Sequence, residues 1–194
     1  MIDGLGSLEV NGRREAIREM INERSVLRGE FVLTSGRKSN YYIDGRMTTL
    51  SADGAALTGQ YIFDMIRDLN VDAVGGPTVG ADPMATAVSL ASFQAGHSID
   101  AFIVRSDRKQ HGTMRQIEGP VRLGSRVVIL DDTVTSGGSL LQAAKAAEEA
   151  GCKVVKIVAI LDRLQGGGQK IRDAGYEFET ILTNDDLDLP KDGE

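Results

Sequence analysis

RVVILDDTVTSGGSLLQAAKAAEEA, residues 126–150, reads as strand, loop and helix in succession. Val127, Val128, Ile129 and Leu130 make a short apolar run between Gly124 and Asp131, the pattern of a buried strand. Leu140, Ala143, Ala144 and Ala147 recur at helical spacing, and Gly151 is placed to end that helix. Between strand and helix stand two carboxylates, Asp131 and Asp132, and then the small residues Thr133, Val134, Thr135, Ser136, Gly137, Gly138 and Ser139. Gly137 and Gly138 leave backbone N–H groups unobstructed, and the hydroxyls of Thr133, Thr135, Ser136 and Ser139 add donors. The helix that follows points its positive end at the same spot, so the loop has the chemistry of an anion cradle. The two aspartates repel a phosphate. They suit sugar hydroxyls on the same ligand, because a carboxylate accepts two such hydrogen bonds. A plain β-α turn with a polar surface is the bland alternative, and two acids, four hydroxyls and two glycines behind a buried strand weigh against it.

Outward from that stretch, strands alternate with helices. Ala16, Ile17, Met20 and Ile21 form one face of a helix that Asn11 is placed to cap and that ends near Arg24. Phe31 and Leu33, then Tyr41 and Ile43, predict a hairpin turning at Ser35 and Gly36, with Arg37 and Lys38 close to Ser39, Tyr41 and Tyr42. Ser51 or Asp53 opens a helix with Leu57, Tyr61, Ile62, Met65, Ile66 and Leu69 on its inner side. VDAVGG, residues 71–76, is a strand, PTVGADP a loop, and Met84, Ala87, Val88 and Ala91 the face of the next helix. GGPTVG is neither a dinucleotide fingerprint nor a Walker A loop, though it places backbone amides at a helix start. Ala101, Phe102, Ile103 and Val104 form a strand that runs into a polar loop, residues 105–120. That loop carries Arg105, Arg108, Lys109, His111 and Arg115, and a long polar loop inside a compact domain is often a functional lid. KVVKIVAILDR, residues 153–163, is a further strand. A short helix near Ile171 to Ala174, a last strand through Phe178, Thr180 and Leu182, and a partly frayed acidic tail from Asn184 complete the chain. A single α/β domain follows, with a mainly parallel central sheet flanked by helices and ligand loops at the carboxyl ends of its strands.

Composition sets bounds. A chain of 194 residues with 41% hydrophobic and 26% charged residues has room for one substantial core. The net charge of -6 and the absence of a basic stripe predict no nucleic-acid partner. Cys152 is the only cysteine, so an internal disulfide is impossible, and with two histidines a Cys/His zinc site is disfavoured. No apolar run approaches a membrane span and no signal-peptide pattern opens the chain, so no membrane partner and a cytoplasmic location are expected.

DDTVTSGGS behind VVIL resembles the phosphoribosyl-diphosphate signature of the type I phosphoribosyltransferases. Two further stretches resemble the orotate-specific members of that family. F-x-L-x-S-G-x-x-S-x-Y-Y, residues 31–42, is similar to their N-terminal hood, and R-x-x-x-K-x-H-G, residues 105–112, to their catalytic loop. The resemblance covers roughly residues 25–187. It implies the type I phosphoribosyltransferase fold, with a hood over approximately 25–48 plus the C-terminal segment, and a core over approximately 50–165. It implies transfer of the 5-phosphoribosyl group from 5-phospho-α-D-ribose 1-diphosphate to orotate, giving orotidine 5′-monophosphate and diphosphate.

The resemblance also implies roles for residues. Asp131 and Asp132 hold the ribose hydroxyls, and the 133–139 loop holds the 5-phosphate. Arg105, Ser106, Lys109 and His111 contact phosphoribosyl diphosphate, and Lys109, Arg105 and His111 join the two aspartates in catalysis. Arg163, Tyr41, Tyr42, Lys38 and Thr135 take orotate, Thr135 facing both ligands. Mg²⁺ is held mainly by ligand oxygens, with no protein ligand set. The implied assembly is a homodimer whose catalytic loop closes over the neighbouring subunit's site. Thr34, Gly80 and Ser106 stand where other members carry lysines, although G-x-T-x-G-A-D-P is similar to another branch. Transfer to a different base, and a non-catalytic sensor of phosphoribosyl diphosphate, are the other two readings.

Overall fold

The computed structural model describes residues 9–32, 38–106 and 116–190. Its centre is β6 (Arg126–Val134), flanked by β3 (Ala73–Pro77) and β7 (Lys153–Asp162), both parallel to it. The six-stranded sheet has the order β5-β4-β3-β6-β7-β8, with β4 (Asp100–Val104) beyond β3 and β8 (Phe178–Thr183) beyond β7. Five of these strands are parallel, and β5 (Ile117–Glu118) pairs antiparallel to β4 at the edge. The polar stretch expected as loop from 105 to 120 therefore includes a strand: Val104 and Ile103 lie opposite Ile117 and Glu118.

The continuous apolar run of β6 follows from burial on both faces. Val128 and Leu130 turn to a core shared with Ile62, Phe63 and Ile66 of α3 (Ala52–Ile66) and Met84 and Val88 of α4 (Ala81–Gln94). Val127 and Ile129 turn to a second core with Leu140, Ala143 and Ala147 of α5 (Gly138–Glu149) and Ile171 of α6 (Gly167–Asp173). Lys156 interrupts the apolar run of β7, and its ammonium is satisfied by Glu177 at 2.8 Å and Glu179 at 2.6 Å.

The N-terminal segment builds a second, smaller layer. Helix α1 (Val10–Met20) runs into a π-helical turn, Ile21–Ser25, and then into β1 (Val26–Val32). Strand β1 pairs antiparallel with β2 (Lys38–Ile43), so the expected hairpin is present; its turn, Ser35 and Gly36 included, lies outside the described residues. A short helix, α2 (Arg46–Thr49), leads from β2 to α3. Ser51 caps α3, its hydroxyl accepting from Gly54 N–H at 3.2 Å.

Several expected boundaries move. Glu9, not Asn11, precedes the first helix, which already includes Asn11. The tail from Asn184 holds a defined conformation through residue 190, further than a partly frayed tail suggests, and residues 191–194 lie outside the described residues. Residues Asn184–Asp186 form a 3₁₀ turn capped by Thr183, Arg14 binds Asp186 at 2.7 Å, and Leu187 is buried. An acidic segment with few apolar residues is tied down by α1, which no local pattern foretells. Helix α6 begins at Gly167, earlier than the 171–174 reading. Among the described residues no helix is long and apolar enough to cross a membrane.

Candidate active site

Strand β6 continues four residues past its apolar run, so Asp131, Asp132 and Thr133 lie within the strand and the loop proper is shorter than expected. Only residues 135–137 separate Val134 from the first residue of α5. The end of β6 is locked to the end of β7: Arg163 N–H donates to Val134 O at 3.0 Å, and Gly167 N–H to Thr135 O at 3.1 Å. Arg163 thereby stands beside the loop that leads into α5. Gly137 sits at φ 73°, a left-handed conformation that L side chains rarely adopt, and a Cβ there would meet Gly167 O at 2.9 Å. Its tight turn leaves Thr133, Val134, Thr135, Ser136, Gly137, Gly138 and Ser139 around a concavity of about 110 Å³ at the start of α5.

That concavity opens into a cleft of about 840 Å³. Asp131, Asp132, Thr133, Thr135, Ser136 and Ser139 form its floor. The hood contributes Val32 and Tyr42, the end of β7 contributes Arg163 and Gln165, and residues 77–80 close another side. The Thr78–Val79 peptide bond is cis. Thr78 Oγ1 donates to Asp82 Oδ2 at 2.6 Å, which fastens residues 78–80 to the first turn of α4.

Arg163 is buried, with its Nε unpaired among the described residues, and its guanidinium carbon stands 5.7 Å from the centroid of the Tyr41 ring. Thr133 Oγ1 is likewise buried without a partner among the described residues. Buried polar atoms in folded proteins are almost always paired, so these two mark a surface shaped for a polar ligand.

The acidic pair is electrostatically loaded. Burial pushes the Asp131 carboxyl up, to about 8, and the neighbouring Asp132 charge adds to the rise. Burial also raises Asp132, while Asp44 repels its charged form and Arg46 favours it. Two carboxylates forced together out of water favour any ligand that donates hydrogen bonds to them or brings positive charge near.

Tyr42 lines the cleft and its ring lies 5.8 Å from that of Phe31. Tyr41, the preceding residue of β2, points to the other side and packs against the core, reaching the site through Arg163. Alternation along a strand separates the pair in this way. Lys38 is exposed and does not line the cleft. Arg105 and Ser106 do not line it either: Arg105 is exposed near Glu118, at 4.0 Å, and its N–H donates to Gln116 O at 2.9 Å. Lys109 and His111 lie outside the described residues. Asp44, Gly45, Arg46 and Gln165 line the cleft without having been singled out from sequence. The D-G-R triplet directly after an apolar strand end was the available signal.

A six-stranded α/β sheet with an acidic pair and a glycine- and hydroxyl-rich loop at the carboxyl end of its central strand, beside a two-stranded hood, defines the phosphoribosyltransferase class. A model of the phosphoribosyl transferase domain matches residues 48–185. The chain belongs to that family, and curated relatives that match most of its length are orotate phosphoribosyltransferases. It is 43% identical over 177 residues to orotate phosphoribosyltransferase of Streptomyces coelicolor, covering 91% of this chain and 97% of the relative. Identity to the enzyme of that name in Corynebacterium glutamicum strain R is 43% over 183 residues, covering 94% and 97%. Among solved structures, orotate phosphoribosyltransferase of Mycobacterium tuberculosis H37Rv in complex with 5-phospho-α-D-ribosyl 1-diphosphate superposes with a TM-score of 0.78 at 36% identity, covering 90% of this chain and 98% of that one.

Proposed function

We propose that the chain transfers the 5-phosphoribosyl group of 5-phospho-α-D-ribose 1-diphosphate to orotate, releasing diphosphate and orotidine 5′-monophosphate. The observation that carries this reading is the position of Arg163. Its guanidinium lies at the wall of the same cleft whose floor holds Asp131, Asp132 and the phosphate cradle. A planar base with a carboxylate needs a guanidinium that can grip it through two parallel hydrogen bonds, and an aromatic wall beside it. Arg163 and Tyr42 offer these at one mouth.

The geometry supports the following roles, which the family resemblance implies. Loop N–H groups and the hydroxyls of Thr133, Thr135, Ser136 and Ser139 hold the 5-phosphate at the start of α5. Asp131 and Asp132 accept from the ribose hydroxyls, which fixes the anomeric carbon between the cradle and Arg163. As the bond to diphosphate breaks, positive charge grows on the ribose and negative charge on the leaving group. The aspartates face the former. Lys109, Arg105 and His111 are assigned to the latter on the strength of the R-x-x-x-K-x-H-G resemblance.

Mg²⁺ fits this donor set. The ion would be held mainly by oxygens of the bound ligand, next to the acidic pair, whose negative charge favours a dication nearby, and residues 78–80 lie against that pair. When bound with the substrate, the ion supplies charge neutralisation for the diphosphate.

We also infer that two copies share their sites. Arg105 and Gln116, the stems of the catalytic loop, leave side by side at the β4–β5 edge, and neither lines its own cleft. Leu90 and Phe93 are exposed on α4 beside an apolar groove between α3 and α4, a surface suited to a second copy. A cytoplasmic location agrees with the free thiol of Cys152. The test of the reaction is formation of orotidine 5′-monophosphate from orotate, phosphoribosyl diphosphate and Mg²⁺, dependent on all three and on the protein.

A further inference from the structure

Among the described residues that line the cleft, Arg46 and Arg163 are the only cations. Arg163 is committed to the base side, stacked on Tyr41. Arg46 stands elsewhere. The backbone preceding it lies against the acidic pair: a Cβ at Gly45 would meet Asp132 Oδ2 at 2.9 Å. Residues 78–80 approach the same pair from another side, since a Cβ at Gly80 would meet Asp131 Oδ1 at 2.5 Å and Asp132 Oδ1 at 3.0 Å.

The Arg46 side chain is held in place. Its Nε and Nη2 donate to Asp44 Oδ1 and Oδ2 at 2.8 and 2.9 Å, and its own N–H donates to Asp44 Oδ1 at 3.1 Å. Asp44 N–H is in turn fixed by Ser25 O at 2.9 Å, and Thr48 is anchored through its hydroxyl, 2.8 Å from Ser25 Oγ. Nη1 makes no hydrogen bond to a described residue, and the side chain is 45% exposed at the cleft mouth. A guanidinium gripped on one edge and open on another is a preorganised anion receptor. An ion pair this exposed contributes little to stability, so its geometry suits ligand binding better than folding.

We propose that Arg46 binds the diphosphate end of phosphoribosyl diphosphate, with Asp44 as the residue that orients its guanidinium. The inference rests on the reading of the cleft as a phosphoribosyl-diphosphate site. The ribose hydroxyls on Asp131 and Asp132 place the anomeric substituent beside the pair, where residues 78–80 offer backbone donors and Arg46 offers charge.

The test compares ligands with and without the diphosphate. Titration calorimetry of Arg46→Met against the wild type uses phosphoribosyl diphosphate, diphosphate with Mg²⁺, and orotidine 5′-monophosphate. The expected result is a loss of about tenfold or more for the first two, on the scale of one charged hydrogen-bonding contact, with the nucleotide bound within about twofold of wild type. Arg46→Lys should recover part of the loss, and Asp44→Asn should show a smaller loss with the same ligand pattern. If Arg46→Met melts below the wild type, Arg46→Gln reads the same difference. Equal weakening for all three ligands would make Arg46 a structural residue, and no weakening would make it a bystander; either overturns the proposal. A wild-type protein that fails to bind phosphoribosyl diphosphate would instead bring down the site reading on which the proposal stands.

Discussion

Arg163 and Tyr41 come from opposite ends of the chain and meet at 5.7 Å, guanidinium over ring, behind the wall of the cleft. An aromatic face beside a guanidinium restrains it without using its N–H donors, which leaves them available to a ligand. Arg163→Lys keeps the charge and loses the two-pronged grip. It should raise KM for orotate at least about tenfold while leaving KM for phosphoribosyl diphosphate near wild type. Tyr41→Ala should act in the same direction by releasing the plane. Steady-state kinetics with each substrate varied in turn decide it; a rise confined to phosphoribosyl diphosphate would place Arg163 on the wrong ligand.

Gly80 tests the crowding around the acidic pair. Its φ of -62° is open to any residue, so the need for glycine is steric: an added Cβ lies 2.5 Å from Asp131 Oδ1. Gly80→Ala should fold normally by circular dichroism and lose about 10²-fold in phosphoribosyl-diphosphate affinity, because the displaced carboxylate no longer meets the ribose hydroxyls. Wild-type affinity in the alanine variant would show that Asp131 needs no fixed position.

The acidic pair also predicts a pH dependence of stability. In the unfolded chain Asp131 ionises near pH 4, whereas burial in the fold raises its pKa to about 8. Between those values the unfolded state has released a proton that the folded state keeps, so the carboxyl destabilises the fold increasingly as pH rises through the window. Asp131→Asn removes that penalty. The variant should melt a few degrees above wild type at pH 7.5, at about 2–4 °C per kcal/mol, and the gap should close toward pH 4. The same change should weaken phosphoribosyl-diphosphate binding. Calorimetric melts at the two pH values check the sign; a gap that widens at low pH would contradict it.

The catalytic loop predicts a complementation. Lys109→Ala should lower kcat by about 10²–10³-fold, the scale for one preorganised charge partner. If the loop acts across subunits, mixing Lys109→Ala with Asp132→Asn should restore activity, because some mixed dimers carry one intact cleft and one intact loop at the same site. Absence of recovery despite demonstrated subunit exchange would place the loop over its own cleft.

How much of this was legible in the sequence depended on whether the signal was local. The buried strand 127–130, the loop and the helix behind it are encoded in one contiguous stretch and occur in the expected order, although the strand runs on through Val134 and shortens the loop. The hood hairpin was legible for the same reason. Asp44 and Arg46 were not, because their importance comes from the close approach of Gly45, the residue between them, to Asp132, a meeting of distant segments. The ordered tail was missed likewise: Arg14 holds Asp186 across the chain, and an acidic run carries no sign of that partner. Tyr41 and Tyr42 were legible as a pair, but the strand's alternation sends one to the cleft and the other beneath Arg163.

Transfer to orotate rather than to another base is decided by a comparison of acceptors. The protein is incubated with Mg²⁺, phosphoribosyl diphosphate and, in parallel, orotate, uracil, adenine or guanine, and each nucleotide product is quantified. The account predicts orotidine 5′-monophosphate with stoichiometric diphosphate from orotate, and rates at least about 10²-fold lower for the bases that lack a carboxylate for Arg163. Faster turnover of another base, or tight binding of phosphoribosyl diphosphate with no nucleotide from any of the four, would contradict it.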